Sequence, residues 1–133
     1  MYVLDDQLAA SEVLAPLRSW LVIERLQNLR PSELIRDDRV PEILRTLREP
    51  TFVTIDQGFW TKRLCDPKYC ILVFGLRDDQ QSLLPDLLRR LLRQKDDFGT
   101  RSKRMGKVAR VSLTGHEYWN YENPQKYRTI WSD

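Results

Sequence analysis

The residues best placed to do chemistry are aspartates that follow short apolar runs. Tyr2-Val3-Leu4 runs directly into Asp5-Asp6, Thr51-Phe52-Val53-Thr54-Ile55 into Asp56, and Cys70-Ile71-Leu72-Val73-Phe74 into Asp78-Asp79 one turn later. Runs this short, rich in β-branched and aromatic side chains, predict strands. If the strands are parallel, their carboxyl ends share one edge, where α/β sheets bind ligands. Several carboxylates there repel one another, and a divalent cation relieves the repulsion. All-oxygen ligands suit Mg2+ or Mn2+. Such an ion polarises a phosphoryl oxygen and supplies a hydroxide nucleophile. The same aspartates serve equally well as helix caps and turn residues, and spacing alone leaves both readings open.

Other chemistries fare worse. His116 is the only histidine and follows the predicted turn Thr114-Gly115. Two-histidine ribonuclease chemistry is therefore excluded, and a surface or packing role is expected for it. There is no G-x-S-x-G elbow, no P-loop and no G-x-G-x-x-G. Cys65 and Cys70 form a C-x4-C pair with no second pair, a poor zinc site, and are expected as reduced structural thiols.

The 133 residues predict one domain, and 41% hydrophobic with 31% charged residues is a globular composition. The net charge of +3 hides an asymmetry, because residues 1–60 carry 7 Lys/Arg against 10 Asp/Glu. The basic excess lies in residues 61–133, including the stretch Arg101-Ser102-Lys103-Arg104-Met105-Gly106-Lys107. A negative half joined to a positive one suits a metal site beside a polyanion-binding surface. Apolar runs are short and broken by charges, and the first residues lack a basic segment followed by a long apolar one. The expectation is a cytoplasmic protein with no membrane partner.

The elements that must position the acids alternate. Helical spacing is expected over residues 7–19, then a strand at Trp20-Leu21-Val22-Ile23, a polar loop from Asn28 to Arg39, and a helix from Val40 to Arg48. Phe59 to Leu64 suggests a short helix. Leu83, Leu84, Leu87, Leu88, Leu91 and Leu92 mark a helix from Leu83 to Lys95, followed by a polar loop from Asp96 to Gly106 and an alternating strand from Val108 to Leu113. The tail holds Tyr118, Trp119, Tyr121, Tyr127 and Trp131. The alternation predicts α/β architecture with a mostly parallel sheet covered on both faces.

The order of motifs resembles short PIN-like domains. Val3-Leu4-Asp5-Asp6-Gln7-Leu8 resembles their opening, Val40-Pro41-Glu42-Ile43-Leu44 their middle helix, and Phe52-Val53-Thr54-Ile55-Asp56-Gln57-Gly58-Phe59 their T-x-D strand end. Cys70 to Leu76 followed by a leucine-rich helix resembles their next strand and last helix. The likeness covers residues 1–115, with residues 116–133 as an aromatic tail packed on the domain or on a partner chain, a second copy among the candidates. It implies a Rossmann-like, three-layer α/β/α fold with about five strands. It also implies an acidic Mg2+ or Mn2+ site and ribonuclease activity of the kind found in VapC-type toxins, whose partner is a small antitoxin. Asp5 and Asp56 match metal-binding acids and Asp6 an acid common in short families. Asp38 or Glu42 would complete the set or orient the attacking water, in place of the acid that the pattern puts where Val40 stands. Asp37 is close enough to do the same. Arg77, Lys103 and Arg104 are the expected grips on RNA phosphates. Gly58 stands where the pattern has a second acid, and this motivates a rival expectation, a degenerate module that binds RNA or a protein without cutting.

Overall fold

A computed structural model describes residues 1–131. Seven strands form one sheet: β1 (Tyr2–Leu4), β2 (Ile23–Arg25), β3 (Thr51–Thr54), β4 (Cys70–Phe74), β5 (Lys107–Val111), β6 (Gly115–Asn120) and β7 (Asn123–Ile130). Their spatial order is β2-β1-β3-β4-β5-β6-β7. The first five are parallel, and β6 and β7 extend the sheet as antiparallel neighbours. The architecture is thus mixed α/β with a mostly parallel sheet, as expected, but with two strands more than the five read from the sequence. Residues 116–130, set apart in the sequence as an aromatic tail, supply nearly all of β6 and β7.

The helices are α1 (Ala15–Arg18), α2 (Leu26–Leu29), α3 (Val40–Thr46), α4 (Leu84–Leu92) and α5 (Arg101–Arg104). Strand alternation sends Leu4, Val53, Leu72 and Ala109 to one face, where they pack with Leu17 of α1 and Leu84, Leu88 and Leu91 of α4. Val3, Phe52, Ile71 and Val108 go to the other, against Leu26 of α2 and Val40, Ile43 and Leu44 of α3. Each buried leucine contributes roughly 1.5–3 kcal/mol. This two-sided burial explains why β1, β3 and β4 are apolar throughout rather than alternating.

Local differences have local causes. The helix expected over residues 7–19 is a π-helical turn, Ala10–Leu14, running into α1, with Pro16 seated in the first turn of α1. Pro85 likewise sits in the first turn of α4, after a 3-10 stretch from Asp78 to Leu83. A proline there loses no hydrogen bond. The second strand is shifted to Ile23–Arg25, and Val22 is left 77% exposed.

The chain order reverses around β1. It leaves β1 for the outer strand β2, then crosses back to β3 on the other side. The carboxyl ends of β1 and β3 therefore flank a topological switch point, the place where open α/β sheets hold ligands.

Candidate functional site

Asp5 and Asp56 stand at that switch point. The Asp5 amide donates to Val53 O at 2.9 Å, which fixes Asp5 beside the end of β3. Between the two acids lies Thr54, fully buried. Its Oγ1 donates to Asp5 Oδ2 at 2.6 Å and accepts the Asp56 amide N–H at 3.0 Å. A hydroxyl can donate once and accept twice, so the threonine of the T-x-D motif ties the two acids together. Asp56 Oδ1 in turn accepts the Gly58 amide at 2.9 Å, capping a 3-10 turn, Gln57–Phe59.

The third acid is Asp37. It opens a 3-10 turn, Asp37–Arg39, that leads into α3. The β2 to β3 crossover thus carries it to the site, where its carboxyl lies in hydrogen-bonding reach of Asp56. Two carboxyls in such contact need a proton on one of them. Asp37 titrates above the ordinary aspartate range. The causes are lost hydration, then the hydrogen bond to Asp56, then the charges of Asp56, Asp5 and Asp38. Asp5 is also raised, first by burial, against the opposing hydrogen bonds from Thr54 and Gln7, and with the charges of Asp6 and Asp56 adding to the rise. Asp37, Asp38 and Asp56 line an open hollow of about 390 Å³ with Gly58, Phe59 and Arg63.

The other expected acids are placed elsewhere. Asp6 Oδ1 accepts the Gln27 amide at 3.0 Å, and its carbonyl accepts from Arg25 at 2.9 Å, so Asp6 holds the start of α2. Glu42 pairs with Arg39 at 3.6 Å on the exposed side of α3. Asp38 lines the hollow beside Asp37. Asp79 is tied to Arg77 at 3.0 Å on the surface. Sequence reasoning settled on Asp38 or Glu42, whereas Asp37 is the residue in contact. Its signal was its place as the first acid before the Pro41 helix. The linking role of Thr54 was legible only as a motif letter.

The expected phosphate grips divide in the same way. Arg77 is exposed and follows β4, on the edge that carries the acids. Lys103 and Arg104 lie on α5 at the opposite edge. Arg104 is buried, donating to Thr51 Oγ1 at 3.1 Å and to Phe98 O at 3.0 Å. It supports the start of β3 and is closed to RNA.

The thiol and imidazole chemistry is quiet. Burial pushes the Cys70 thiol up to about 12 and raises Cys65 as well, which keeps both un-ionised. His116 is buried, its pKa lowered by burial, and its Nδ1 accepts from Trp131 Nε1 at 3.0 Å.

The three acids supply hard oxygen donors. Among the described residues, no three His, Cys, Asp or Glu side chains converge as a ready-made metal cage. The set suits an ion held by one or two carboxylates and otherwise by water, the usual manner of Mg2+. Compared with family models, with curated proteins and with solved structures, the chain matches none. Among the described residues, no helix is long and apolar enough to cross a membrane.

Proposed function

We propose that the protein is a PIN-like ribonuclease that hydrolyses RNA phosphodiesters with a Mg2+ or Mn2+ ion at the ends of β1 and β3. One observation carries the reading. Asp5, Asp37 and Asp56 come from three separate chain segments to the switch point of the sheet, with Thr54 bridging Asp5 to Asp56 and Asp37 beside Asp56, and burial and mutual charge raise Asp5 and Asp37. A fold that only needed turns would not gather like charges there. The two-sided cover of the sheet agrees with the three-layer PIN-like arrangement, and a toxin of a toxin–antitoxin pair is the setting that the resemblance implies.

Asp5 and Asp56 would hold the ion, which when bound supplies a polarised phosphoryl oxygen and a water acidic enough to attack. Thr54 fixes Asp5 Oδ2 as an acceptor and leaves Oδ1 for other donors. Asp37 would act as general base towards water in the hollow once an ion on Asp56 has displaced the proton that the two carboxyls share.

The test is cleavage of a fluorescent RNA by wild type, Asp5→Asn and Asp56→Asn with Mn2+, Mg2+ or EDTA. Metal-dependent cutting should fall at least about 100-fold in both variants, while circular dichroism stays unchanged. Cutting that survives both substitutions would sink the proposal.

A second reading has its own support. Gly58 gives Asp56 a backbone N–H in place of a further carboxylate, which favours a degenerate module that binds RNA or a protein without cutting. A folded wild type that binds RNA and cuts none, in either metal, selects it.

A further inference from the structure

A second hollow, of about 240 Å³, opens on the face of the β5–β6–β7 extension. Arg110 pairs with Glu117, and Glu117 with Arg128. Directly opposed residues project from the same face, so two guanidiniums flank one carboxylate across three strands. Two residues further along, about 6.8 Å at the usual strand rise, the same face carries Trp119 and Lys126, themselves paired. Trp119 stacks on Trp60 with ring centroids 4.0 Å apart, and Lys126 Nζ lies 5.8 Å from the Trp119 ring. Among the ion pairs of the described residues, none uses Arg110, Arg128, Lys126 or Glu117. The face thus carries three cations against one anion.

This face is joined to the acids. Arg110 Nε donates to Gln57 Oε1 at 2.9 Å, and Gln57 directly follows Asp56. The Gln57 amide is held in turn by the carbonyls of Ile55 and Phe74, at 3.0 Å each. Arg110 is therefore pre-positioned against the acid-bearing turn with its terminal nitrogens over Gly75, where a Cβ would meet Nη2 at 2.9 Å. Any larger residue at position 75 would displace it.

We infer that this face binds the backbone of a single-stranded nucleic acid, with Arg110 and Arg128 as phosphate subsites, and leads it towards Asp56. Guanidinium forks match phosphate oxygens, and Trp119, a partly exposed residue beside Lys126, adds an aromatic group of the kind that unpaired bases stack on. The inference rests on the RNA reading above and names how that substrate is held. An acidic polypeptide would satisfy the cations but would leave the indole and the link to the acids without purpose.

The experiment is fluorescence anisotropy of a labelled oligouridylate in EDTA, where binding is read without cutting, over a series of salt concentrations. Each phosphate contact on a single strand contributes about 0.7 to the slope of log K against log salt. Arg128→Gln and Arg110→Gln should each flatten the slope by about that amount, and Lys68→Gln, before β4 at the far edge, should leave it unchanged. Arg128 is exposed, so its variant tests the idea even if Arg110→Gln misfolds. Wild-type slopes in Arg128→Gln, or equal competition by polyglutamate of the same charge, would overturn the track. Weakened binding in the arginine variants of a protein that never cuts would keep the track and remove the nuclease. Cutting with unchanged binding slopes would do the reverse.

Discussion

The two edges of the parallel sheet treat charge in opposite ways. At the edge where the strands begin, Arg104 and Lys107 are buried and satisfied. Arg104 has Thr51 and Phe98 as acceptors and lies over the Tyr2 ring at 5.1 Å. Lys107 Nζ donates to Asp97 O at 2.5 Å and sits 4.7 Å from the Tyr118 ring. At the edge where the strands end, Asp5, Asp37 and Asp56 face one another, and their fixed donors are amides and a hydroxyl. Buried charges that are fully hydrogen-bonded serve the fold. Charges left among like neighbours destabilise it, and such sites are kept for binding or catalysis.

The largest effect expected from breaking this contrast is on the quiet edge. Arg104→Met keeps most of the side-chain packing but leaves Thr51 Oγ1 and the Phe98 carbonyl without their donor. Two buried acceptors lost in this way should cost about 2–4 kcal/mol. Urea unfolding should show it as a lower midpoint with an unchanged slope. A loss of only about 0.5 kcal/mol, the size of an ordinary surface substitution, would mean that water replaces the guanidinium and that the two edges are less different than they look.

What the sequence disclosed follows the same division. Strands β1, β3 and β4 were legible because both of their faces are covered, which leaves uninterrupted apolar runs, and β5 was legible by the alternation of its apolar and polar residues. The leucine stripe of α4 was legible because four of its members, Leu84, Leu87, Leu88 and Leu91, meet one core. Strand β7 was not legible, because it is the outer strand and seven of its eight residues are exposed. No periodicity of burial marks such a strand. Arg104 misled for a related reason, since a buried arginine with backbone and hydroxyl acceptors has no sequence signature that separates it from a solvated one. On the acidic edge, the placement of Asp5 and Asp56 was legible because strand ends announce them. Asp37 was passed over in favour of Asp38 and Glu42, because which side of a 3-10 turn faces the sheet depends on the angle at which the crossover arrives.

The contrast can be sharpened by adding charge to the acidic edge. Gly58 has no positive φ, and a Cβ there would lie 3.1 Å from Asp56 Oδ1, a contact that a small shift of the Asp56 side chain relieves. Gly58→Asp introduces the acid that the T-x-D pattern of PIN-like domains carries and adds a carboxylate beside Asp56. Affinity for Mn2+ should rise roughly tenfold, about 1.4 kcal/mol, in calorimetric titration, with lower stability in EDTA from the added repulsion. If the variant takes Mn2+ no better than wild type, the hollow beside Asp56 is not the cation site.

The smallest effect is the most diagnostic, because its sign is fixed by linkage. Asp37 and Asp5 have folded-state pKa values raised above the ordinary 3.8. Between the unfolded and folded values the native protein binds more protons than the unfolded chain, so stability falls as pH rises through that window. Well below 3.8 neither carboxyl carries charge in either state and the penalty vanishes. Asp37→Asn removes one repelling charge and should therefore raise the thermal midpoint near neutral pH and give no gain in strong acid. Mn2+ should stabilise the wild type near neutral pH by mass action, less so as protons compete for the same oxygens, and should stabilise Asp37→Asn by a smaller margin. A variant that loses stability at neutral pH would show that Asp37 is held by favourable contacts, and the acidic edge would then be organised for the fold, like its counterpart across the sheet.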